Sequence, residues 1–263
     1  MGLIEENGLR AYFSERIDGN LSFLHGSKME VFYNRVNVSV DNNLSLFSVR
    51  GGNEVVSHGF APQLEHGDKI LIIREENREK YNGLGIKKYG SLPCDAIITD
   101  CAGFPILIPN ADCFLVALHD PIKNVLAVFH SGRLGTFINI AEKTSAKMKR
   151  EFGCSPGNIK TYFFPGICEI CYKQKYLESE LPPAYLRKFS KKNGDETVSL
   201  NLLGIIIHQL KNAGIESMDF RHYECTAHAA FEGMAKYYSH FGHTHRFPGH
   251  EESGRNALIV EMV

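Results

Sequence analysis

The chain of 263 residues is 43% hydrophobic and 22% charged, and its formal net charge at pH 7 is −1. This composition supplies enough apolar side chains for a full core and excludes a strongly basic nucleic-acid-binding or membrane-surface protein. No apolar run approaches the length of about 18 residues that a membrane span needs, and residues 1–19 lack the pattern of a signal peptide. We therefore expect a cytoplasmic protein with no nucleic-acid or membrane partner.

Short apolar runs rich in β-branched residues predict strands along the first two thirds of the chain. They are KILII (69–73), DAIIT (95–99), PILIP (105–109), CFLVALH (113–119), NVLAVFH (124–130) and IKTYFF (159–164). Several are apolar on both faces, so they must be covered on both sides. Helices are predicted at 136–152, capped by Thr136 and ended by Gly153, at 177–191 and at 199–213. The pattern indicates one α/β domain over residues 1–263, with mixed, largely buried sheets flanked by helices.

A hairpin in the middle of the chain carries a cysteine at one end and a histidine at the other. If DPIK (120–123) forms a four-residue turn, His119 pairs with Asn124 and Cys113 lies opposite His130. Directly opposed side chains on one sheet face have Cβ atoms about 4.5–5.5 Å apart, a separation that suits a thiolate and an imidazole on one metal ion. The same two residues also fit a cysteine nucleophile with its base, as in a hydrolase, or a buried apolar thiol.

Two other segments have the composition of metal sites. CEIC (168–171) is a C-x-x-C motif, but no second cysteine pair follows at the spacing of a zinc ribbon, which disfavours a structural metal. Residues 238–252 contain His240, His243, His245 and His250. We interpret that segment as a solvated loop.

The seven cysteines are an odd number in a mid-sized chain, which predicts reduced thiols rather than a disulfide framework.

The stretch NADCFLVALHDPIKNVLAVFHSGRLG (110–135) resembles the core signature of the YfiH-type family. These proteins are described as laccase-like multicopper polyphenol oxidoreductases and as purine nucleoside phosphorylases with adenosine deaminase activity. QLEHGDKILII, CDAIIT and SGRNALIVEM are similar to further family elements, so the resemblance extends along most of the chain. It implies a layered α/β/β/α sandwich and a zinc ion held by His66, Cys113 and His130, with copper as the alternative. Three protein ligands leave one position open, as in catalytic zinc sites.

The resemblance implies an enzyme that acts on purine nucleosides, by phosphorolysis, by adenosine deamination, or by both. Arg16, Arg35 and Arg133 are the candidates for binding phosphate, and Asp112 is a candidate proton carrier. A copper-dependent polyphenol oxidase and a catalytically silent metal-binding protein are the alternatives. The family pattern His-Ala-Gly-Trp-Arg-Gly is HSGRLG at 130–135 in this chain, without the tryptophan and with the arginine one position early. This departure predicts weak activity or a changed specificity.

Overall fold

A computed structural model describes residues 3–24, 27–50, 54–88, 91–175 and 184–263. Its strands are β1 (Ile4–Glu6), β2 (Leu9–Phe13), β3 (Phe47–Arg50), β4 (Glu54–Ser57), β5 (Ile70–Ile73), β6 (Ala96–Thr99), β7 (Ile106–Asn110), β8 (Phe114–Asp120), β9 (Val125–Ser131), β10 (Lys160–Phe163), β11 (Lys173–Gln174), β12 (Ser190–Lys192), β13 (Val198–Leu200), β14 (Ser217–Asp219), β15 (Ala230–Phe231), β16 (Met234–Ala235) and β17 (Asn256–Met262). Its α-helices are α1 (Lys28–Asp41), α2 (Arg133–Phe137), α3 (Ile140–Phe152), α4 (Leu202–Asn212) and α5 (His240–Thr244).

Two large sheets form the centre of the molecule. The first has four strands in the order β1-β2-β17-β7, and the second has six in the order β14-β10-β8-β9-β6-β5. Smaller sheets are β11-β13-β12, β15-β16 and β3-β4. In the larger sheet, β6, β8 and β9 are buried at every residue, as their uninterrupted apolar runs predict. The predicted mixed α/β fold with largely buried sheets is confirmed.

Three apolar clusters define the layers. Side chains of β2, β7 and β17 pack against those of β6, β8 and β9 between the two large sheets. On its other face, the six-stranded sheet packs against α3 and α4. The four-stranded sheet packs on its far face against Val38 of α1 and nearby apolar residues. The order is therefore α/β/β/α. In the described part of the chain, no helix combines the length and apolar character required to cross a membrane.

The predicted hairpin forms, but its register differs by two residues from the prediction. Asp120 pairs with Val125 and Leu115 pairs with His130, so the turn is Pro121–Asn124 and Cys113 lies just before β8. The left-handed conformation of Asn124, with φ of 51°, lets this residue close the turn rather than begin the strand. A shift of two residues keeps every side chain on its face of the sheet. Cys113 and His130 therefore share a face, as diagonal rather than direct neighbours.

The predicted helices are shorter than expected or interrupted. The helix expected at 136–152 is divided, because Asn139 is left-handed and its side chain caps α3, so Thr136 is not the cap. Gly153 ends this helix as predicted. The helix expected at 199–213 begins after Asn201, whose side chain accepts a hydrogen bond from Gly204. Of the helix expected at 177–191, residues 177–183 lie outside the described residues, and the rest is a 3-10 helix over Ala184–Phe189 followed by β12.

Candidate metal centre

Three side chains converge at one end of the six-stranded sheet. His130 is in β9, Cys113 precedes β8, and His66 lies in the loop before β5. One ligand atom from each residue lies within 4.8 Å of those of the other two. His130 is buried, Cys113 is half-buried and His66 is exposed. The cluster is thus anchored in the sheet and open to solvent on the side of His66.

Asp95, which sequence reasoning missed, holds two of the three candidate ligands. Its carboxylate accepts hydrogen bonds from the backbone N–H groups of Glu65, His66 and Gly67 at 3.2, 2.9 and 2.8 Å. It also bonds Nδ1 of His130 at 2.9 Å, which leaves Nε2 of that ring free for the cluster. The left-handed backbone of His66, with φ of 60°, is stabilised by these contacts. Asp95 directly precedes β6, and the antiparallel pairing of β6 with β9 places Asp95 beside His130.

The electrostatics favour a thiolate in contact with a protonated imidazole. Burial by itself raises the pKa of Cys113, but the charge and hydrogen bonds of His130 and His66 outweigh it and the thiol pKa is lowered. Burial likewise lowers the pKa of His130, and the charge of Cys113 and the Asp95 hydrogen bond reverse this to a net increase. A thiolate is the form of cysteine that binds metals. A metal ion bound between these residues would replace the imidazole proton, and its positive charge would keep the sulfur anionic.

Gly132 leaves the space that the cluster occupies. A Cβ atom at this position would lie 2.7 Å from Sγ of Cys113 and 3.4 Å from Cδ2 of His66. Contacts of 2.7 Å between non-bonded heavy atoms of this kind do not occur without displacement of one of them. Gly132, the first glycine of HSGRLG, is therefore required by the packing of Cys113 and His66.

A cavity of about 320 Å³ opens directly above the cluster. His66, Cys113 and His130 form part of its wall, together with Phe23, Leu64, Lys88, His240 and Arg255. Its volume is at the lower end of the range for small-molecule sites. The site thus combines nitrogen and sulfur donors with apolar and cationic side chains around one partly open cavity.

The donor set fits a borderline-soft transition metal. Two imidazoles and one thiolate suit zinc or copper, whereas magnesium and calcium prefer oxygen ligands. Asp95 supplies the outer carboxylate that accompanies metal-binding histidines in many proteins. The residues present therefore fit the zinc ion that the family resemblance implies, and three protein ligands would leave one coordination position open.

The candidate phosphate-binding arginines occupy different environments. Arg35 lines the cavity, but its guanidinium is buried and donates hydrogen bonds to the carbonyl groups of Leu21, Gly85 and Ile86. Burial lowers its pKa to about 9. Arg16 lies outside the cavity wall, where it bonds Gly249 and Glu252. Arg133 is half-buried at the start of α2.

Asp112 is committed to structural hydrogen bonds rather than turned to the cavity. Its carboxylate accepts from Oγ1 of Thr226, Oγ of Ser239 and the backbone N–H of Phe241, each at 2.6 Å. The carboxylate is buried, and it accepts two of these hydrogen bonds on Oδ1 and one on Oδ2. The expectation that it carries a proton to substrate finds no support in this arrangement.

Arg255 is a cavity residue that sequence reasoning did not single out. Burial lowers the pKa of its guanidinium, and the nearby Asp112 and Cys113 partly offset this effect. It donates a hydrogen bond to the Gly254 carbonyl from one terminal nitrogen. Its position just before β17, in SGRNALIVEM, was the available signal.

Two sequence interpretations need correction. His250 is not in a solvated loop, because it is 2% exposed and its Nε2 bonds the Ala227 carbonyl at 3.1 Å. His240 begins α5 and lines the cavity. The inference that CEIC is unsuited to a structural metal also needs revision: no second pair follows at ribbon spacing, but Cys225 and His228 lie beside Cys168 and Cys171 in the fold.

Fold and site together define a layered α/β protein in which three candidate metal ligands line a cavity. Residues 28–262 match the family described as multi-copper polyphenol oxidoreductase laccase, and the chain belongs to this family. The structure of YlmD from Geobacillus stearothermophilus superimposes with a TM-score of 0.78 at 19% identity, covering 100% of this chain and 96% of that one. This similarity confirms the fold expected from the family resemblance.

Curated relatives carry enzyme names. A purine nucleoside phosphorylase of Clostridium acetobutylicum is 42% identical over 79 residues, 30% of this chain and 34% of that protein. One of Campylobacter jejuni is 27% identical over 209 residues, 75% of this chain and 82% of that protein. An adenosine deaminase of an unknown prokaryotic organism is 28% identical over 114 residues, 43% of this chain and 42% of that protein. The match spans about a third of the first of these proteins and less than half of the third.

Proposed function

We propose that the chain is a zinc-dependent enzyme acting on purine nucleosides. The observation that carries the proposal is the His66–Cys113–His130 cluster, which lines the cavity. Three protein ligands would leave one coordination position of a zinc ion open. The names of the relatives supply the substrate class and two reactions, phosphorolysis and adenosine deamination. A zinc ion in this position supplies a Lewis acid at neutral pH without redox chemistry.

Different residues of the cavity suit different parts of the substrate. Phe23 and Leu64 offer apolar contacts for a purine ring, and Lys88 and Arg255 offer positive charge to phosphate. Because Arg35 is occupied by backbone carbonyls and Arg16 lies outside the cavity wall, we assign phosphate binding to Arg255 and Lys88 rather than to these two arginines. Asp95 orients His130, and Gly132 keeps the approach to Cys113 free.

Both reactions are substitutions that need a positioned nucleophile. In phosphorolysis, a phosphate oxygen bonds C1′ of the ribose while the bond to the base breaks, and the base leaves with the electron pair and gains a proton. In deamination, water adds to C6 of adenosine and ammonia leaves, giving inosine. The charged lining of the cavity favours the first reaction, since Arg255 and Lys88 match an anionic co-substrate.

A copper-dependent polyphenol oxidase is the second candidate, favoured by the description of the family. A multicopper centre needs several histidines around clustered ions. Among the residues that the structure describes, the groups with metal-ligand spacing are His66–Cys113–His130 and Cys168–Cys171–Cys225–His228. His243 and His245, the His-x-His pair, belong to neither group, so the zinc enzyme is the better account.

Product analysis tests the proposal. Zinc-loaded protein is incubated with inosine or adenosine, with and without phosphate, and the products are separated by chromatography. We expect free base and ribose-1-phosphate, or inosine from adenosine, and no turnover by Cys113→Ala. Cys154→Ala is the matched control, because this thiol is buried in the core on the helix side of the sheet and its loss leaves the centre intact.

Three outcomes would contradict the proposal. Equal turnover by Cys113→Ala would separate the activity from the metal centre. Oxidation of a phenol by copper-loaded protein, with no nucleoside turnover, would support the second candidate. Full zinc occupancy with neither reaction would indicate a silent metal-binding protein.

A further inference from the structure

Four potential metal ligands meet at a second place, on the loop that follows β10. Cys168 and Cys171 come from C-x-x-C, and Cys225 and His228 come from C-x-x-H. One ligand atom from each residue lies within 4.8 Å of those of the other three. Nδ1 of His228 is 3.1 Å from Sγ of Cys171 and 3.6 Å from Sγ of Cys168. No role is assigned to this cluster by the chemistry of the first site.

The backbone brings the two pairs together in a defined way. Gly166 forms an isolated parallel bridge with Cys225, and its N–H donates to the Glu224 carbonyl at 3.1 Å. The N–H of Cys168 points at Sγ of Cys225 at 3.3 Å, a contact typical of metal-binding thiolates. Cys171 follows a turn closed by its N–H and the Cys168 carbonyl. The arrangement is therefore built by main-chain contacts and does not depend on flexible side chains alone.

The geometry matches a closed tetrahedral zinc site. Zn–S bonds of about 2.3 Å and Zn–N bonds of about 2.0–2.1 Å place tetrahedral ligand atoms about 3.6–3.8 Å apart. The sulfur–nitrogen distance of 3.6 Å matches this separation, and the one of 3.1 Å is about 0.5 Å shorter. Three thiolates and one imidazole form the Cys₃His set of structural zinc sites, and a single disulfide would leave a thiol and an imidazole unused.

We propose that Cys168, Cys171, Cys225 and His228 bind a second, structural zinc ion. This proposal goes beyond the proposed function, because four protein ligands leave no coordination position for substrate. The position of the four ligands in the fold indicates what the ion does. Ile167 and Thr226, each next to one of the ligands, hold Asp112: the Ile167 N–H donates to the Asp112 carbonyl at 2.8 Å and Thr226 to its carboxylate.

Asp112 directly precedes Cys113, and its backbone is left-handed with φ of 87°. A conformation this unfavourable for a residue other than glycine persists only where neighbours enforce it. The second ion therefore fixes the positions of the two segments, containing Ile167 and Thr226, that form hydrogen bonds with Asp112. Through them it positions Cys113 without contacting substrate.

The test counts zinc ions and their sulfur ligands in the full-length protein. Elemental analysis should find two zinc ions per chain, and X-ray absorption at the zinc edge should give an average of two sulfur ligands per zinc. Cys113→Ala should keep one zinc with three sulfur ligands. His228→Ala and Cys171→Ser should each keep one zinc with one sulfur ligand. Cys154→Ala, the control, should keep both ions.

His228→Cys provides a rescue that a general packing role does not predict. It should restore two zinc ions with more sulfur per zinc than in the unaltered chain. Since His228 is exposed, His228→Ala should fold even if replacing the buried Cys225 does not allow folding. One zinc per chain with a single sulfur ligand, or a disulfide between Cys168 and Cys171 in freshly purified protein, would overturn the proposal. Absence of nucleoside turnover would leave it standing.

Discussion

Replacing Asp95 with asparagine isolates the residue that orients the centre. Each carboxylate oxygen accepts two hydrogen bonds, Oδ1 from His66 N–H and His130 Nδ1, and Oδ2 from the Glu65 and Gly67 N–H groups. Asparagine has the same shape but one acceptor oxygen, so its amide nitrogen must face two donors. Either the two loop N–H groups or the His66–His130 pair loses its acceptor.

The size of the effect follows from the bonds lost. Hydrogen bonds to a charged group contribute about 1.5–3 kcal/mol each. Because water reaches the half-exposed loop, we expect the free energy of unfolding of metal-free Asp95→Asn to fall by about 2–4 kcal/mol in urea titrations. Loss of an outer-shell partner weakens metal binding by about 10- to 100-fold. Competition with a chromophoric chelator measures the zinc affinity directly.

Asp120→Asn is the matched control. Asp120 is equally buried in the same sheet and accepts hydrogen bonds from the Ile122 and Lys123 N–H groups, both on Oδ1, at the far end of the β8–β9 hairpin. Asparagine retains that acceptor, so zinc affinity should be unchanged. If Asp95→Asn binds zinc as tightly as the unaltered chain, or if Asp120→Asn weakens binding as much, the orienting role of Asp95 is wrong.

Three further variants, two with one substitution and one with two, test the packing at Gly132, the role of Arg35 and the segment HSGRLG. Gly132→Ala places a Cβ atom 2.7 Å from Sγ of Cys113 and should lower zinc affinity at least about tenfold in the chelator assay; Gly135→Ala, with its nearest contact at 3.4 Å, should not. Arg35→Met leaves three carbonyls without their donor and should lower the free energy of unfolding by about 3 kcal/mol, whereas Arg16→Met should change it by about 1 kcal/mol; equal effects would contradict a structural role for Arg35. Arg133→Trp combined with Leu134→Arg restores the family pattern and should raise kcat/KM for nucleosides, by up to about 10²-fold; an unchanged rate would show that this segment does not limit turnover.

The strands of the larger sheet were predictable because they are buried on both faces and their apolar runs are uninterrupted. The exact register was not, since Asn124 joins the turn through a left-handed conformation that alternation of apolar residues does not reveal. The error of two residues preserved the face, so the association of Cys113 with His130 survived it. The N-terminal strands β1 and β2 and helix α1 were not predicted, since weak amphipathic patterns carry little local signal.

The missed site residues depend on contacts between distant segments. Asp95 meets His130 only through the antiparallel pairing of β6 with β9, which joins residues 35 positions apart. Cys225 and His228 carry a local C-x-x-H signal, but their partners in CEIC lie 54 to 60 positions upstream, outside the spacing of a zinc ribbon. Arg35 and Asp112 were chosen for their charge. In the folded chain, the guanidinium of Arg35 donates to backbone carbonyl groups, and the carboxylate of Asp112 accepts from hydroxyl and backbone N–H groups.

The most direct test of the metal centre is the zinc content of His66→Ala, Cys113→Ala and His130→Ala, purified beside the unaltered chain and measured by element-specific mass spectrometry. We expect each variant to lose one equivalent of zinc per chain, because each removes one of three protein ligands. Circular dichroism of the same samples confirms that the variants are folded. If folded Cys113→Ala retains all the zinc of the unaltered chain, the metal is held elsewhere and the assignment of this centre is contradicted.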